Sequence, residues 1–543
     1  MKKVFLSGEM LHSSIKKNVL GEDIITTPYE LCGFKNCNLF KEKSFLIEEE
    51  RSNIMGELVL LSDEQLWNLD RWKEIPVLQR REIKDQKENS NIFIYILGEN
   101  LSTLNIKEDL FKQLDYFNKC KKMNKVGLCD LHLLYPCSLV VKDTNVMESN
   151  KIDVLHTMKT KNSVLCVEED DECLSSYYIR KMKEYNNSES DGEFIRDINR
   201  ISLGAIKISL NLDGEDYTEY GFAYISKHIM TSVGMFAIVF PSITTPVQLE
   251  LCAFCGNGLS VVENDTKIPI TEWMINRGFK LEGSPKASLF AYSTVDRDEI
   301  AKCLACEMEP LGNIVGEISN NWINDNFAQY DIAKVYASDK CLIEIIETEE
   351  INIKSRLNSQ SIEMYFVELL MLQEAAISHV SAKVYDYLNH EFGKEKQKDV
   401  QASLYKLSKE AANAILFVDY KKLRYPTVRI SAKKIAERFG IGEEFDKYYK
   451  CREVLEQMIS IDTFESEKIE GTLMNTLLLL LAMIQVLPTF IQLAYSIINN
   501  QVTMKNFQSG IIGGAGCILL YLIYLIAHKR AIRKSRNRLL GKM

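Results

Sequence analysis

The longest apolar runs of this chain lie near its C-terminus. Residues 473–498, LMNTLLLLLAMIQVLPTFIQLAYSII, carry no charge, and a second run spans 511–527 after the mixed connector NNQVTMKNFQ. As helices at ~1.5 Å per residue, the first is about 39 Å long against a bilayer core of roughly 30 Å, and the second is at the short limit. The pattern predicts a transmembrane hairpin over 471–528. A buried core hairpin is the alternative, but soluble helices seldom run so far without a charge. Lys529, Arg530, Arg533, Lys534, Arg536, Arg538 and Lys542 then make 529–543 a basic tail, while the connector holds only Lys505. Positive residues stay on the cytoplasmic side, which predicts an inner (plasma) membrane protein with the lipid bilayer as partner and both termini cytoplasmic.

Within the first run Asn475, Ala482, Gln485, Thr489, Gln492 and Ser496 recur at helical intervals and share one face. Polar groups in hydrocarbon face a bundle interior or a water path, so the stripe reads as a pore lining built from several copies. It reads equally well as packing contact between helices. Leu478, in the leucine stretch one to two turns before Gln485, completes the pore-lining set as a closure that works by dewetting.

Upstream the pattern changes. Residues 1–98 alternate short strands, KKVFLSG, SFLIEEE, IMGELVLL and NIFIYIL, around a helix from Asp63 to Trp72 that opens at Ser62. Residues 99–195 form a mixed connecting region without a clear period, with the linker NNSESDG at 186–192. Residues 196–357 read as an α+β domain with strands AIKISLNL, GMFAIVFPSI, VQLELCAF, ASLFAYST and a DIAKVYA–CLIEII hairpin, and one helix from Arg297 to Met308. From Ser359 the rhythm is helical: Ile362, Phe366, Leu369, Gln373, Ala376, Val380 and Tyr387 keep a seven-residue repeat until Gly393. Further helical segments follow, so 358–470 reads as a helical stalk. The expected fold class is α+β cytoplasmic domains, a long helical stalk and a C-terminal two-helix transmembrane hairpin.

Composition narrows the chemistry. A chain of 543 residues holds three or more units. The net charge of −9 arises before the tail and argues against a nucleic-acid-binding surface. Its 14 cysteines, in a reducing compartment, are not a disulfide framework. Cys252 with Cys255, and Cys303 with Cys306, form two CxxC pairs of the spacing that binds zinc; buried thiols in a strand and a helix are the alternative. Cys129, His132 and Cys137 are a weaker set. The acidic run Glu168-Glu169-Asp170-Asp171-Glu172 is either a solvated face or a site for a hard cation such as magnesium.

Two resemblances add to this reading. VFLSGEML at the start and MGELVLLSDEQLWNLDRWKEIPVLQRREI at 55–83 resemble the gamma-glutamylcyclotransferase-like fold over residues 1–98. The resemblance implies that backbone amides of the first turn, Ser7, Gly8 and Glu9, hold a small ligand. It also places the catalytic glutamate position after Leu69-Asp70-Arg71-Trp72, where this chain has Lys73 followed by Glu74. A protonated lysine is no general base, so Glu74 is the one catalytic candidate and the expected outcome is a retained fold with a lost or altered reaction.

The layout of residues 200–543, with Glu368-Leu369-Leu370-Met371-Leu372-Gln373 resembling a stalk element, is similar to CorA-type divalent-cation channels. That implies a homo-oligomer of five copies and a divalent cation such as magnesium. Tyr495-Ser496-Ile497-Ile498-Asn499 stands where the family has Tyr-Gly-Met-Asn, which adds Asn499 to the pore lining and departs from magnesium selectivity. Divergent members attached to CRISPR and other antiphage systems imply a nucleotide-type second messenger as the small ligand. The expected function is a CorA-like membrane channel gated by a cytoplasmic ligand or ion. A membrane-anchored gamma-glutamylcyclotransferase-like enzyme and a non-conducting membrane sensor are the alternatives.

Overall fold

Strand-forming runs between Lys2 and Ile346 assemble into two sheets. The computed structural model describes residues 1–8, 16–17, 20–21, 24–34, 52–71, 78–85, 90–97, 129–139, 164–166, 172–189, 198–212, 215–228, 231, 233–243, 253, 258–263, 266–306, 321–346, 353–386, 423, 425–443, 445–446 and 448–450, with scattered helical positions at 405–412 and 453–508. Residues 1–453 and 454–543 are two compact units, and all the elements that follow belong to the first.

The smaller sheet is built from β1 (Lys2–Gly8), β2 (Thr26–Phe34), β3 (Ser52–Leu61), β4 (Leu78–Asp85), β5 (Ser90–Leu97) and β7 (Val164–Cys166), in the order β4-β5-β1-β3-β2-β7. β1 runs antiparallel to β3 and parallel to β5. Gly56 lets β3 approach β1: a Cβ there would stand 2.3 Å from the Leu6 carbonyl oxygen and 2.5 Å from the Phe5 ring. Helix α1 (Asp63–Arg71) follows at once. Its start is a capping box, with Ser62 Oγ accepting the Gln65 N–H at 3.2 Å and Gln65 Oε1 accepting the Ser62 N–H at 2.9 Å.

The larger sheet has ten strands. They are β6 (Cys129–Leu139), β8 (Ile198–Leu212), β9 (Glu215–His228), β10 (Val233–Ile243), β11 (Leu259–Glu263), β12 (Thr266–Pro269), β13 (Phe279–Leu281), β14 (Lys286–Ala291), β15 (Ala333–Ala337) and β16 (Cys341–Ile346). The order is β12-β11-β8-β9-β10-β6-β14-β16-β15, with β13 also on β6. Pro136 sits where β6 passes from pairing β14, last at Leu134, to pairing β13, first at Cys137. A residue without an N–H is tolerated at that changeover.

Strand alternation makes this sheet the middle of a sandwich. Cys129, Leu131, Leu133, Tyr135 and Cys137 join a core with Phe236, Ile238 and Phe240, covered by α3 (Ile270–Asn276) and α4 (Arg297–Ala305) through Trp273, Ile300 and Leu304. Asp130 and His132 point the other way, toward the layer of α2 (Leu174–Glu189) and α5 (Ile353–Asp386). α5 packs on β6, β10, α2 and α6 (Pro426–Arg438).

The expected fold class is corrected here. Strands and helices interleave in a mixed α/β arrangement on two large sheets, rather than α+β domains standing on a stalk. The helix read as the start of a stalk is a core helix: residues 364–377 are buried without a break, whereas a lone stalk leaves a polar face in water. Among the described residues no helix is long and apolar enough to cross a membrane, so the two-helix transmembrane hairpin is not part of the fold described. α5 is long enough, but Arg356, Glu363, Glu368 and Glu374 interrupt its apolar surface.

Candidate functional site

Where the two sheets meet, β2 and β3 touch β8 and β9, and a charged cluster is buried between them. Glu57 of β3 is fully buried. Its carboxylate accepts from the Lys207 ammonium on β8 at 2.5 Å, from Lys16, and from the Tyr220 hydroxyl on β9. Lys16 is only 8% and Lys207 only 7% exposed. Burial acts to raise Glu57, but the neighbouring ammoniums of Lys16 and Lys207 outweigh it and hold the carboxyl below the usual range. Burial lowers Lys16 to about 8, against the pull of Glu57 and with the push of Lys207. The β1 residue opposite Glu57 is Leu6, so the Ser7–Gly8 end of β1 adjoins this cluster.

A second set of buried polar groups ties α5 to the larger sheet. Arg356 grips Asp130 of β6 with two bonds, Nε to Oδ2 and Nη2 to Oδ1, each 3.1 Å. Ser242 completes that corner: its N–H donates to Asp130 at 2.7 Å and its hydroxyl accepts from Arg356 at 2.6 Å. Ser242 has φ 59 at a bulge in β10, a left-handed strain held in place by these bonds. Further along, Glu368 takes Arg200 Nε at 3.0 Å to each oxygen and also accepts from Ser226. Glu374 accepts the Ser284 N–H at 3.0 Å, beside Gly283, whose φ of 98 and lack of Cβ the contact requires. Near the end, His379 and Ser138 bond Glu282 at 2.9 and 2.7 Å. Glu363 of α5 and Glu344 of β16 form a carboxyl pair, both pushed up by burial, with Glu363 adding to the rise at Glu344.

Between these ties lies an aromatic cluster around Tyr178 of α2. Its ring centroid is 5.6 Å from His132 and 5.7 Å from Tyr224, and all three are fully buried. Gln360 donates to Asp130 at 2.6 Å and to Tyr292, so its Oε1 accepts from His132 Nε2–H at 2.8 Å. Burial pushes the imidazole down to about 4, so it is neutral. Among the described residues His132 Nδ1 and the hydroxyls of Tyr178 and Tyr224 have no hydrogen-bond partner.

The residues singled out in the sequence fall in separate places. Ser7 and Gly8 end β1 beside Glu57; Glu9 and Glu74 lie outside the described residues. Leu478 is helical and 58% exposed, while Asn475, Ala482, Gln485, Thr489, Gln492, Ser496 and Asn499 lie outside. Cys303 and Cys306 are buried thiols of the α4 core, with Cys306 as the left-handed C-cap; Cys252 and Cys255 lie outside. Cys129 and Cys137 face away from His132 across the sheet, so those three do not share a centre. Among the described residues no three His, Cys, Asp or Glu are grouped to hold a metal. Lys16, Lys207, Tyr220 and Arg356 carried no sequence signal, because their partners are distant in the chain; Glu57 was visible only as half of a Gly-Glu strand motif. Compared with protein-family models, with curated proteins and with solved structures, the chain has no match in any of the three.

Proposed function

We propose that the chain is a self-associating, ion-conducting protein in which residues 1–453 sense a small ligand and α5 passes on the state of the sensor. One observation supports this above others. α5 is tied to the larger sheet by buried hydrogen-bonding and ionic groups from Arg356 to His379, so the helix moves with the sheet. The larger sheet is in turn tied to the smaller one at Glu57. A ligand that binds one arrangement of this junction more tightly shifts the whole assembly toward it. The output belongs to residues 454–543. The resemblance to divergent CorA-type channels adds weight to conduction as that output.

The test is ion flux from dye-loaded vesicles containing the full chain. We expect flux, and we expect Glu368→Gln, which weakens the helix tie, to change its dependence on ligand. Self-associated protein that passes no ion under any condition would sink the proposal.

A further inference from the structure

Among the described residues the junction at Glu57 is charge-unbalanced, with two ammoniums meeting one carboxylate. A buried charge without a counter-charge is costly to hold out of water. Lys16 and Lys207 also stand close enough to repel each other, which is part of what lowers Lys16. Among the described residues Glu57 is the only ionic partner either ammonium has. An ammonium has three N–H donors, and Glu57 takes one from each lysine.

We infer that the Lys16–Lys207 pair at this junction binds a small oxyanion, a phosphate or a carboxylate, as a second counter-charge beside Glu57. An oxyanion is favoured over a simple halide because it offers several acceptors to two ammoniums at once. Lysine recognises phosphate as a compact point charge, which suits two ammoniums arriving from different elements. Lys207 and Tyr220 come from the larger sheet and Glu57 from the smaller, so an anion here bears on both sheets. It rests on the reading of this junction as the sensor, and names the class of ligand sensed.

The experiment uses the full chain with inorganic phosphate, L-glutamate and acetate in separate arms, against chloride at equal ionic strength. Binding is read by calorimetry and by the shift in melting temperature. Phosphate saturation with glutamate and acetate inert assigns a phosphate ligand; the reverse assigns a carboxylate. Lys207→Met should weaken binding about tenfold or more. Glu57→Gln, which removes the competing carboxylate, should tighten it several-fold, an effect that a purely structural ion cluster does not give. Tyr220→Phe, which removes a donor to Glu57 and none to the anion, should leave binding within about twofold and the fold intact by circular dichroism. No oxyanion effect beyond chloride, or equal binding in wild type and Lys207→Met, overturns the inference. Oxyanion binding without ion flux would remove the conduction reading and leave this one standing; flux without oxyanion binding would do the opposite.

Discussion

Asp130 and Glu57 are both fully buried carboxylates, and their surroundings differ in one respect. At Asp130 a single guanidinium forms a bidentate pair, and Ser242, Tyr292 and Gln360 supply further bonds, so charge and hydrogen bonding close on themselves. At Glu57 two ammoniums share one carboxylate and a phenol adds a third donor. A balanced site has little to gain from an outside ion. The contrast separates a fixture that holds α5 in register from the junction at which an oxyanion ligand is proposed.

The most direct way to break this comparison is at Arg356. Arg356→Met leaves Asp130 buried without a counter-charge and should cost about 3–5 kcal/mol in urea unfolding. Adding Asp130→Asn should recover most of that. A loss under ~1 kcal/mol would show that the pair is not the lock described. A smaller effect is expected from pH at Glu30, which accepts the Leu174 N–H and Asn53 Nδ2, each at 2.6 Å. Burial raises it to about 7, opposed by those two bonds. Its contribution is therefore complete below the unfolded value near 4.5 and is lost as pH rises toward 7, a decline on the order of 3 kcal/mol. Glu344 and Glu363 act in the same sense, so Glu30→Gln should remove part of the slope in denaturation curves across this range. An unchanged slope would place the titration elsewhere. The smallest effect belongs to Tyr178. Its hydroxyl is unbonded among the described residues, so Tyr178→Phe should leave the melting temperature unchanged or raise stability by up to about 1 kcal/mol. A comparable loss would reveal a partner for that hydroxyl.

Much of the local structure was legible in the chain. The Gly56-Glu57 strand, the Ser62 cap, the hairpin at Ser338-Asp339-Lys340 and the start of α4 at Arg297 all follow from short-range chemistry. β6 was not legible, for a physical reason. Both faces of the strand are covered, so Asp130 and His132 interrupt apolar residues without an exposed alternation, and Pro136 speaks against a central strand. α5 was legible as a helix but not as a core helix. Its charged residues look solvent-facing until Asp130, Arg200 and Glu282 meet them from far away in the sequence. The same distance hid the candidate site: Lys207 and Tyr220 are joined to Glu57 only by the contact of two sheets. The resemblance to cyclotransferase-like proteins pointed to Ser7 and Gly8, at the end of β1, and to Glu74, outside the described residues, and not to Glu57, Lys16 or Lys207.

The position of β6 has a consequence for how the protein is made. This strand leaves the ribosome well before its three partners, β10 at Val233–Ile243, β13 at Phe279–Leu281 and β14 at Lys286–Ala291. At ~5–20 residues per second, β6 waits roughly 5–20 s for its first partner, and longer for α5 to cover Asp130 and His132. During that interval an apolar strand with open edges is exposed, and long-range pairing of this kind is intrinsically slow. Newborn chains of this protein should therefore engage chaperones that hold extended apolar segments, and truncations ending before β10 should aggregate rather than remain as folded intermediates.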